Sequence, residues 1–193
     1  MRMLVERKTA VALGVACAAG ATALWLLRSR KRPLPSGHSS TTLEGDRCRV
    51  LQDGLDLQEL VDFVGDPGAG AIASFSGVTR DNFQGKKVQR LEYEGFPPMA
   101  TKEMQAICAQ IRERWDVRRV AMDHRLGVCP IGEASVIIVV SSAHRREALE
   151  AVHFAIDALK SSVPIWKKEF YDDGDPKWKE NAEWQGGVRL KPS

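Results

Sequence analysis

The sequence predicts an α+β domain with a mainly antiparallel sheet, preceded by an apolar N-terminal segment and a linker. Three observations predict it. Apolar residues recur at helical spacing in three separate stretches. Pairs of uncharged or alternating runs lie between those stretches and read as strands. Ahead of them, Thr9 to Leu27 runs 19 residues without a charge, between RK and RSRKR.

The elements follow in order. Asp56 to Val64 carries Leu57, Leu60, Val61 and Val64 on one helical face and stops at GDPGAG. Gly70 to Val78, GAIASFSGV, is uncharged and rich in small residues, as in a strand buried on both faces or approached closely by another backbone. Lys87 to Glu94 alternates, and DNFQGK before it supplies turn residues, so these two strands are expected as an antiparallel hairpin. From Pro97, the positions Met104, Ile107, Cys108, Ile111 and Trp115 define a second helix, with Pro97 and Pro98 suited to its first turn. Arg119 to His124 alternates as a half-buried strand. GVCPIGE then turns the chain into ASVIIVVSS, Ala134 to Ser142, a central strand by its unbroken apolar run. A last helix from about Ala143 to Ser162 is expected to bury Leu149, Val152, Ile156 and Leu159, and Pro164 ends it. An irregular tail with Trp178 and Trp184 follows.

Composition narrows the function classes. The formal charge of the 193 residues is +3, but Met1 to Arg32 holds seven Lys/Arg against Glu6 alone, which leaves the remainder at −3. That distribution lacks the broad basic excess of a nucleic-acid-binding domain. Cys17, Cys48, Cys108 and Cys129 are scattered, with no CxxC and no histidine at ligand spacing, so no metal is expected and a reducing compartment is. Residues 1–32 read as a basic-flanked leader. A membrane anchor, a targeting presequence and a disordered extension are all compatible with it, and an anchor would keep the following domain in the cytosol by the excess of positive charge behind it. Residues 33–47 read as a flexible linker, 48–184 as the domain and 185–193 as a tail.

The chemistry-bearing residues are cationic. His144, Arg145 and Arg146 open the last helix, where backbone N–H groups and the helix dipole favour an anion; they could equally point into solvent. Arg80 ends a strand. Lys160 lies in the last helical turn, and Lys167 and Lys168 follow the proline break beside Trp166, which reads either as a core anchor or as a pocket wall. Pro164 bends the path between them, so spacing alone does not bring Lys160 and Lys167 together. No GxGxxG or GxxxxGK[ST] loop occurs and no local triad spacing is found. Any chemistry falls to lysine, arginine and histidine acting on an anionic substrate.

SFSGVTRDNFQGKKV, LEYEGFPPMA, HRLGVCPIGEASVIIVVSSAHRREALEA and LKSSVPIWKKE, in this order, resemble the large, catalytic subunit of molybdopterin synthase over about Leu55 to Trp184. The resemblance implies an α/β hammerhead-like fold, and a dimer that binds a small ubiquitin-like sulfur carrier at each end to make a heterotetramer. It implies sulfur transfer from the carrier's C-terminal Gly-Gly thiocarboxylate to cyclic pyranopterin monophosphate, in the cytosol and without a cofactor. It also implies Lys160 and Lys167 as catalytic, with Arg80, His144, Arg145, Lys168 and Glu169 joining them in substrate binding. Gly186 and Gly187 precede VRLKPS, so this chain does not itself end in the carrier's Gly-Gly. The alternative is a noncatalytic carrier-binding scaffold tethered by the leader.

Overall fold

The structure, a computed structural model, describes residues 40–43, 45–172, 174 and 176–179. The leader, most of the expected linker, Trp184 and the tail lie outside them.

Two sheets carry the fold. The first runs in the order β1 (Ser40–Leu43), β2 (Asp46–Leu51), β6 (Val117–Arg125), β8 (Ala134–Ser142), β3 (Ala71–Val78). Only the β2–β6 pair is parallel; the others are antiparallel. The second joins β10 (Lys177–Lys179), β9 (Ile165–Tyr171), β5 (Lys86–Gly95) and β4 (Asn82–Phe83), with β7 (Gly127–Pro130) also on β5, all antiparallel. The mixed α+β class with antiparallel sheets is therefore as the sequence predicts. Ser40–Leu43 forms a strand within the stretch expected as linker.

Among the described residues, three helices cover the first sheet. α2 (Pro97–Arg114) and α3 (Arg145–Ser162) bury Met104, Ile107, Ile111, Ala148, Ala151, Val152, Ala155 and Ile156 against Val50, Val120, Met122, Ile138 and Val140. α1 (Leu57–Val64) packs Leu60 and Val64 on Ala121, Ile137 and Val139. Because β6 and β8 alternate side chains, these two sets lie on opposite faces of the same strands. The Asp56 carboxylate caps α1 by accepting from the Gln58 and Glu59 amides.

Four expectations are corrected. The Gly70–Val78 and Lys87–Glu94 strands do not pair: β3 pairs with β8, and the DNFQGK turn reverses only the two-residue β4 onto β5. β6 is covered on both faces rather than one, since α1 shields Ala121 and the Arg49 guanidinium holds the buried Asp123 carboxylate at 3.0 Å. Leu149 is 60% exposed. Alanines 148, 151 and 155 occupy the buried stripe in its place, letting α3 lie close to the sheet. The segment after Pro164 is strand β9 instead of an irregular tail.

Close approach accounts for the small residues around β3. A Cβ on Gly70 would stand 2.4 Å from the Ala143 carbonyl oxygen, and one on Gly77 would stand 2.7 Å from a Val136 methyl.

Candidate functional site

A cavity of ≈ 440 Å³ opens where the two sheets meet the C-terminal end of α3. Each of its three cations, Arg80, Lys160 and Lys167, arrives by a separate local device. Arg80 follows β3, where the Thr79 amide and carbonyl bond Glu133 and Gly132 of the β7–β8 turn at 3.0 and 2.9 Å. Its guanidinium stands 5.7 Å from the Phe83 ring centre. Lys160 comes from the last turn of α3, which closes with the Val163 amide on the Leu159 carbonyl at 3.1 Å. Pro164 then ends the helix and the chain enters β9.

β9 sorts its own residues. In a strand, alternate side chains take opposite faces, so Ile165, Lys167 and Glu169 line the cavity while Trp166, Lys168 and Phe170 face away. Lys168 instead lies 5.2 Å from the Trp178 ring and 5.7 Å from that of Phe170.

Glu169 is 4% exposed and held from two sides. Lys167 Nζ stands 3.1 Å from its Oε1, and the Tyr171 hydroxyl donates to its Oε2. Burial and then the Glu169 carboxylate push the Tyr171 phenol up to about 12, so it stays a donor at neutral pH. Arg80, Lys160 and Lys167 against one carboxylate leave an excess of positive charge suited to a phosphate or a carboxylate.

Of the residues singled out in the sequence, the cavity thus gathers Arg80, Lys160, Lys167 and Glu169. His144 and Arg145 are exposed and lie outside it, His144 as the N-terminal cap residue of α3 without a side-chain capping bond. Lys168 and Trp166 lie outside it as well.

Among the lining residues not singled out, two bear directly on the site's chemistry. Tyr93 on β5 is the cross-strand neighbour of Lys167, and burial pushes its phenol up to about 12. Its ring meets the His124 ring edge-on, 5.2 Å between centres at 74°. His124, on β6, is 5% exposed, and burial lowers its imidazole to about 4. A histidine in phase with Val120 and Met122 was the available signal, but it reads equally as a core residue.

Among the described residues no group of three His, Cys, Asp or Glu is placed to hold a metal. Cys48 and Cys108 are buried thiols 3.5 Å apart and do not line the cavity.

The chain is similar to known proteins in sequence and in fold. The family described as MoaE protein matches residues 50–162. The chain is 52% identical over 138 residues to a molybdopterin synthase catalytic subunit of Bos taurus, covering 72% of this chain and 73% of the relative. It is 51% identical over 140 residues to the protein of that name in Drosophila willistoni, covering 72% of this chain but only 38% of the relative. Among solved structures, a molybdopterin synthase from Staphylococcus aureus superposes with a TM-score of 0.65 at 36% identity, covering 68% of this chain and 95% of that one.

Proposed function

The chain belongs to the MoaE protein family, and from that membership we propose that it acts as the catalytic subunit of a molybdopterin synthase in molybdenum cofactor biosynthesis. A small ubiquitin-like carrier delivers sulfur as a C-terminal thiocarboxylate, and cyclic pyranopterin monophosphate receives it. Each transfer exchanges sulfur for oxygen: the carrier's acyl C–S bond and a substrate C–O bond break, and a C–S bond forms on that substrate carbon. The acyl end leaves as the carrier's carboxylate, with its oxygen taken from water or substrate, so two carriers complete the dithiolene.

The observation that supports this reading is the convergence of Arg80, Lys160 and Lys167 on one cavity from a strand end, a helix end and a second strand. Three cations offer a seat for the substrate phosphate. Lys160 and Lys167, the latter steadied by Glu169, are the groups able to move protons or to accept the carrier's acyl end. A dimer of this chain with a carrier at each end, working in the cytosol, belongs to the same proposal.

The test supplies the purified chain with thiocarboxylated carrier and cyclic pyranopterin monophosphate and measures dithiolene formation. Lys160→Ala and Lys167→Ala are expected to lower turnover by at least about 100-fold each, in line with the loss of a positioned acid–base group. Near-normal turnover in both variants would remove the catalytic assignment.

A further inference from the structure

The cavity also holds a neutral polar group that the lysine chemistry leaves unused. His124 Nδ1 lies 2.8 Å from the Arg125 carbonyl oxygen. That oxygen can only accept, so Nδ1 carries the ring proton and Nε2 presents its lone pair. Among the described residues Nε2 has no hydrogen-bond partner, yet it is not one of the buried atoms shut off from solvent without one. His124 lines the cavity, which is therefore the space available to that nitrogen. Burial disfavours the charged ring, which fixes the group as an acceptor at neutral pH.

Its position gives the acceptor a use. Tyr93 is paired across the strands with Lys167 and touches His124 with its ring, so the imidazole sits one side chain beyond the cationic end of the cavity. A ligand whose anionic group is held by Arg80, Lys160 and Lys167 would extend its uncharged portion along Tyr93 to this nitrogen.

We propose that His124 is a specificity-determining residue, whose Nε2 accepts a hydrogen bond from an N–H of the substrate's uncharged heterocycle. This rests on the function proposed above, since that substrate joins an anionic phosphate to an N–H-bearing pterin. A site that meets a donor with a fixed acceptor discriminates strongly against ligands that lack the donor.

The experiment titrates the full chain, without carrier, with cyclic pyranopterin monophosphate and separately with inorganic phosphate. His124→Leu is expected to weaken the pterin at least tenfold and to leave phosphate within about twofold. His124→Gln, which keeps an acceptor near the Nε2 position, should hold the pterin within about threefold of the unaltered chain. Nitrogen-15 spectra of the unaltered protein read the same contact without a substitution: the unprotonated His124 resonance should shift with pterin and stay in place with phosphate. Pterin affinity unchanged in His124→Leu, or a resonance indifferent to pterin, overturns the assignment alone. An unaltered chain that binds no pterin overturns the proposed function, and the role of His124 with it.

Discussion

Glu169 is the residue on which the cavity's order depends. Its carboxylate is buried, and its two oxygens hold Lys167 and Tyr171 in place. Removing one partner of such a cluster leaves the others desolvated and unmatched. Glu169→Ala is therefore expected to cost about 2–4 kcal/mol, toward the lower end because Lys167 keeps 28% of its side chain exposed, measured as a shift in the urea midpoint. Tyr171→Phe removes one donor and should cost only about 1 kcal/mol.

His124 adds a pH signature at the same scale. Burial holds its imidazole at about 4 against an ordinary value of 6.5, so between those limits the unfolded chain takes up a proton that the folded chain refuses. Stability on this account is fully present above pH 6.5 and falls by up to about 1.4 kcal/mol per pH unit as the pH drops toward 4. His124→Gln should lose that component. Denaturation at pH 7.5 and at pH 5 checks it, because the gap between the two should narrow in the variant.

The elements meet at backbone contacts that admit no extra atom. Gly70 leads into β3 with the Ala143 carbonyl oxygen too near to leave room for a Cβ. Gly70→Ala has to push apart the start of β3 and the approach to α3, which is expected to cost about 1–3 kcal/mol; an unchanged melting temperature would contradict this. Small residues in GAIASFSGV carried that message in the sequence, because they announce close approach without naming the neighbour. DNFQGK likewise announced a reversal without saying which strands it would join. β3 found β8 because both offer edges to the same sheet, and that choice is made by packing, not by turn chemistry. Leu149 misled for a related reason: a helix held near a sheet buries alanines, which periodic patterns of large apolar residues pass over. Arg80, Lys160 and Lys167 could be marked as cationic from sequence, but their convergence could not, since it needs the Pro164 break, β9's pairing with β5 and the junction of two sheets.

At the scale of the whole molecule, the cavity is a joint between the sheets. β3, β6 and β8 supply one wall, β5 and β9 the other, and α3 ends between them. A ligand seated there touches both sheets and stabilises each against opening. With substrate at 100 times its dissociation constant, stability should rise by about 2.7 kcal/mol. Slowed amide exchange is expected in β3 and β9 together; protection confined to one sheet would place the ligand elsewhere.

The two adjacent lysines of β9 make the segment sensitive to counting. Strand geometry admits every second residue to the cavity, so one residue inserted between Pro164 and Lys167 would turn Lys167 outward and bring a neighbour inward. A further lysine stands ready at position 168, but the residue two places beyond it is Phe170, so the substituted ammonium would arrive without a carboxylate to steady it. A second insertion restores the phase. Length variation in this stretch is thus filtered by odd and even rather than by size, and a lineage could change it only in steps of two without losing the paired charge.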